Sequence, residues 1–159
     1  MNTPHGLALA ALFTLAACNP FHRDPVSEVH RDVNANSRWQ GSLVTPAALA
    51  GAVQIRGTAS MQPSGNGEAT RVAVSVSNAT PGGLHPWQLR RGQCGADQGA
   101  YSTDATYPAL KIGDDGRGEA GRILPGPTPE AGDFFVTISA SAANMETIVA
   151  CGNLAPPAR

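Results

Sequence analysis

Between Thr70 and Ser77 the chain alternates: Val72, Val74 and Val76 fall on one side, and Arg71, Ala73, Ser75 and Ser77 on the other. A period of two belongs to a strand with one buried face, because a helix would scatter those valines around its circumference. From about Arg38 onward the chain is rich in Val, Thr, Ser and Gly, and turn residues recur every ten or so positions, which extends the β reading to the rest of it. The pattern predicts strands over Trp39 to Val44, Val53 to Met61, Thr70 to Ser77, Leu84 to Arg91, Pro108 to Ile112, Gly118 to Ile123, Asp133 to Ser139 and Glu146 to Cys151. Pro63-Ser64-Gly65-Asn66-Gly67, Pro81-Gly82-Gly83 and Gly113-Asp114-Asp115-Gly116 supply the positive-φ and fixed-φ residues that turns need. About eight strands with short turns and one long loop, Gly92 to Tyr107, describe an all-β Greek-key sandwich or flattened barrel. Pro46 to Gly51 is expected to form one helical turn, capped by Thr45 with the proline at the first helical position. Asn78-Ala79-Thr80 is read as turn chemistry.

The first residues carry a different signal. Leu7 to Ala17 is an apolar run too short for a lasting transmembrane helix but long enough for the core of a signal peptide. It ends in Leu15-Ala16-Ala17-Cys18, which resembles the lipobox of bacterial lipoproteins: small residues precede the cut, and a thiol follows it to accept a lipid. The departure is that His5 stands before the run where Lys or Arg is usual. The expectation is a signal peptide over 1–17, lipidation at Cys18, and a tether over 18–37. Several acyl chains on one residue anchor stably, since each buried methylene contributes about 0.8 kcal/mol. Asn19 stands where an aspartate tends to mark inner-membrane retention, which points to the outer membrane, facing the periplasm.

The tether is polar, without period, and contains Pro20 and Pro25. Within it His22-Arg23-Asp24 and His30-Arg31-Asp32 repeat one triplet. Either this is a solvated linker, or His22, Asp24, His30 and Asp32 form a weak arm whose imidazoles and carboxylates share a divalent ion.

The residues 38–159 suit one domain. Eleven Lys and Arg stand against twelve Asp and Glu, so there is no basic footprint for nucleic acid. No later apolar run is long enough to span a membrane as a helix. With Cys18 taken by lipid, Cys94 and Cys151 are left in a compartment where disulfides persist, and they should pair. Closing so long a loop is worth roughly 4 kcal/mol by chain entropy.

Gly83-Leu84-His85-Pro86-Trp87-Gln88-Leu89-Arg90-Arg91-Gly92-Gln93-Cys94 resembles the strand Gly-Leu-His-Gly-Phe-His-Val-His of the copper/zinc superoxide dismutases, which leads to a loop cysteine. Ile148-Val149-Ala150-Cys151-Gly152-Asn153-Leu154 is similar to the Ala-Cys-Gly ending of that family's last strand. In the family those cysteines are joined, so the resemblance implies the same Cys94–Cys151 pair and a dismutase-like barrel. It also implies copper on two histidines of the first strand and zinc on ligands of the following loop. Here those strand positions are Gln88 and Arg90, and neither the loop 92–107 nor Phe134 to Ala140 contains a histidine. An amide is a poor copper ligand and a guanidinium is none. His85 matches a position that braces the backbone.

These departures lead to the expectation of a non-catalytic, lipid-anchored envelope protein without cofactor, acting as a binding or structural module, with the membrane and an envelope protein as its partners. The alternative is a copper-handling or dismutase-type metalloprotein that draws its ligands from the N-terminal arm. Gln88 and Arg90, two apart on a strand, share a face, while Arg91 takes the other. Arg90 either contacts an anion or partner, or pairs with Asp97 or Asp104 of the loop. Trp87 is expected to pack inward. No nucleophile elbow, phosphate loop or calcium loop is present, and paired acids cannot be assigned from spacing.

Overall fold

The structure, a computed structural model, describes residues 37–103 and 105–158. Its strands are β1 (Trp39–Val44), β2 (Arg56–Ser64), β3 (Ala69–Ser77), β4 (Leu84–His85), β5 (Trp87–Gln93), β6 (Ala96–Ala100), β7 (Leu110–Lys111), β8 (Gly118–Pro125), β9 (Phe134–Ser141) and β10 (Asn144–Leu154). Eight of them make one antiparallel sheet in the order β6-β5-β9-β10-β1-β2-β3-β8, curled into a flattened half-barrel, and β4 pairs with β7 alongside. The expected all-β class is therefore present. Every described residue belongs to one compact unit, Asp32–Arg159.

The valine row that opened the β reading lies inside: Val72, Val74 and Val76 of β3 are buried, and register with β2 sets Val72 opposite Met61 and Val74 opposite Ala59. Trp39, Leu43, Trp87, Leu89, Leu124, Val136 and Ile138 are among the other buried residues of the core, each large apolar side chain worth about 1.5–3 kcal/mol on burial. Both indoles keep a partner while buried. Trp39 Nε1 donates to the Pro129 carbonyl at 3.0 Å, and Trp87 Nε1 to that of Pro108 at 2.8 Å.

Four local expectations are corrected. The strand predicted over Leu84 to Arg91 breaks at Pro86, which has no N–H to give a ladder; β4 before it pairs with β7, and β5 after it pairs with β9. The predicted long loop contains β6, an edge strand with no apolar alternation, held as a hairpin on β5. The helical turn is a short 3-10 turn over Ala47–Leu49, and Thr45 does not cap it. The Thr45 hydroxyl accepts from the Ile55 amide at 2.9 Å instead, closing the 45–55 loop, so β2 starts at Arg56 and not at Val53. Asn78 adopts φ 58°, which asparagine tolerates, in agreement with the turn expected there.

Candidate functional site

Strand register lays out the outer face of the sheet. Gln88 of β5 is opposite Thr137 of β9, Thr137 is opposite Cys151 of β10, and Cys151 is opposite Val44 of β1. One step along, Arg90 is opposite Phe135, and Phe135 opposite Asn153. β9 alternates Phe134, Val136 and Ile138 into the core with Phe135, Thr137 and Ser139 outward, yet the outward set is buried as well. Part of that cover comes from the end of β5. Gly92, at φ 94°, marks an irregularity in the β5–β6 ladder, and a Cβ there would collide with the Ala96 carbonyl oxygen. The turn that follows reaches across β9 to β10 through the Cys94–Cys151 disulfide, whose Cα atoms are 6.1 Å apart. The Cys94 amide also donates to Asn153 Oδ1 at 2.7 Å.

What results is a groove of about 1120 Å³, lined among others by Val44, Gln88, Arg90, Phe135, Thr137, Met145, Glu146, Ile148 and the disulfide. Its walls mix apolar surface with a tightly bonded polar corner. Arg90 donates from Nε to Asp97 Oδ2 at 2.8 Å and from Nη1 to Gln88 Oε1 at 2.7 Å, and its Nη2 is ion-paired with the same Asp97 oxygen at 2.6 Å. Because arginine only donates, the Gln88 oxygen must be the atom that faces it. The hydrogen bond from Arg90 holds the Asp97 carboxyl below its ordinary range, against a smaller opposing effect of burial. Asp97 itself accepts from the Gly99 amide at 2.8 Å, which shapes the turn.

The structure thus brings Gln88 and Arg90 onto one face and supplies Asp97, one of the two acids considered for Arg90; Asp104 lies outside the described residues, as do Cys18, His22, Asp24, His30 and Asp32. Arg91 points away and stacks over the Tyr101 ring at 5.8 Å, while Trp87 packs into the core. His85 sits apart from the groove lining. Its Nδ1 lies 3.1 Å from the Ser139 carbonyl oxygen and, facing an acceptor, carries the proton, tying β4 to β9. Its Nε2 is buried without a hydrogen bond.

The copper and zinc that the resemblance implies do not fit these residues. At the two strand positions the amide oxygen is spent on a neighbour and the other group is a cation. Among the described residues, no group of three or more His, Cys, Asp or Glu is placed to hold a metal ion.

Phe135, Thr137, Met145 and Asn153 were not singled out from sequence. A signal did exist, since Phe134-Phe135-Val136 places apolar residues on both faces of one strand, the mark of a strand covered on both sides. A scan of the chain against protein-family models gives no match, and comparison of its sequence with curated proteins gives none either.

Proposed function

We propose that the chain is a lipid-anchored cell-envelope protein, held at the outer membrane through Cys18, whose superoxide dismutase-like domain is non-catalytic and serves as a binding or structural module. The observation that carries this reading is the Arg90 clamp. A permanent cation, bonded to Gln88 and Asp97, occupies the strand positions where the resemblance would require two copper-binding imidazoles. Redox cycling needs a metal that changes valence, and the donors at this place repel or ignore one. What the same corner offers is a groove with hydrogen-bond donors beside apolar walls, the usual composition of a binding site. The metal content of protein purified without affinity tag or chelator tests the reading. The expected result is neither copper nor zinc at stoichiometric level after incubation with either ion and desalting; one equivalent retained in the folded domain would overturn it.

A further inference from the structure

We infer that the groove over β9 binds a neutral amphiphile of the acyl ester class, its carbonyl held by Thr137, Gln88 and Arg90 and its chain by the apolar walls; this deepens the non-catalytic reading and rests on it. The polar corner is rich in donors that no protein group uses. A guanidinium has five N–H bonds. Two of those on Arg90 are accepted, Nε by Asp97 and one on Nη1 by Gln88, and Nη2 is ion-paired with Asp97, which leaves at least one N–H on each Nη. With its oxygen committed to Arg90, Gln88 has only its amide N–H bonds to offer the groove. Thr137, directly opposite Gln88 in register, is 6% exposed, and its hydroxyl has no hydrogen-bond partner among the described residues. Its oxygen opens onto the groove and is not a buried orphan, so it is a free hydrogen-bonding group beside the Arg90 and Gln88 donors that a ligand can engage in place of water.

The charges select against an anion. Arg90 is neutralised by Asp97, and Glu146 adds a further negative group to the lining, so a carboxylate head would meet net negative surroundings. A neutral carbonyl accepts the same hydrogen bonds without that repulsion. The apolar half of the ligand is defined as well. Val44 and Met145, two of the large apolar side chains that the described residues leave exposed, both stand at this groove, beside Ile148 and the buried Phe135. A volume of about 1120 Å³ lies a little above the usual range of small-molecule sites, which leaves room for a chain and a head group.

Calorimetric titration of the Cys18→Ser chain, which carries no acyl group, in detergent-free buffer tests this with a medium-chain monoacylglycerol, the fatty acid of equal length and the alkanol of equal length, each below its micelle concentration. Saturable binding of the ester is expected, with the fatty acid at neutral pH and the alkanol weaker. Thr137→Val, which keeps shape and strand propensity, should weaken the ester about fivefold, the size of one net hydrogen bond, and leave the alkanol unchanged. Gln88→Leu provides the second variant should the first lower Tm. Equal binding of ester and alkanol, tighter binding of the fatty acid, or an ester affinity unmoved in both variants would overturn the inference. A metal-free chain that binds none of the amphiphiles overturns the ligand assignment alone, whereas stoichiometric copper or zinc overturns the reading beneath it.

Discussion

Arg90 shows how one side chain can tie together neighbours on a strand face, Gln88 two residues before it and Asp97 across the hairpin. Its partner Asp97 titrates below the ordinary carboxylate range because the Arg90 hydrogen bond favours the charged form. A carboxyl with a lowered folded pKa adds stability above its unfolded value and loses it as pH falls through the lowered folded one. The Asp97 side chain is 45% exposed, so solvent screens the pair and its worth is under about 1 kcal/mol. Asp97→Asn should therefore reduce the stability measured by urea unfolding at neutral pH by no more than that, with the gap to the native chain closing in acid. A gap that persists in strong acid would show that charge is not its source. The shared face of Gln88 and Arg90, and Asp97 as one of two acids within reach, were legible from spacing because a strand alternates with a fixed period. Thr137 was not, since only pairing between distant segments puts it opposite Gln88.

Among the elements, β9 and its two neighbours decide the site. The Cys94–Cys151 bridge spans β9 from the β5–β6 turn to β10, and it closes a loop of 57 residues. Cys94→Ser should cost roughly 4 kcal/mol in oxidising buffer by loop entropy and almost nothing in reducing buffer, read as Tm in each. Equal losses in both would indicate that packing at Cys94, and not the bond, is responsible. The seam between β1 and β10 is tuned differently. A Cβ on Gly152 would strike the Ser42 carbonyl oxygen, and one on Gly41 that of Asn153, so the two strands lie too close for any side chain at those points. Gly152→Ala is expected to destabilise by about 1–3 kcal/mol in urea unfolding, the range for forced overpacking, while Gly65→Ala, in open space, should be limited to the strain of its positive φ. Strand identity was readable wherever alternation was clean, as in β3. It failed at β6, whose Ala96-Asp97-Gln98-Gly99-Ala100 has no apolar face and exists because the β5 edge holds it.

At the scale of the whole molecule, the described residues form one curled half-barrel with a groove on its outer face, and the lipid anchor proposed at Cys18 would hold it at a membrane. On the proposed lipidation, Cys18→Ser should move the protein from the membrane fraction to the soluble fraction after cell disruption, because acyl chains on that residue would supply the binding energy. Retention of the variant in the membrane would argue for another attachment. The linear order of residues determined the β class, the candidate cysteine pair and the placing of Gln88 and Arg90 on one strand face, since each depends on residue type and spacing alone. The groove, the choice of Asp97 as the partner of Arg90, the break at Pro86 and the burial of Phe135 and Thr137 on a second face were decided only by tertiary structure. They arise where β5, β9, β10 and β1 meet, and antiparallel pairing brings together residues that are far apart along the chain.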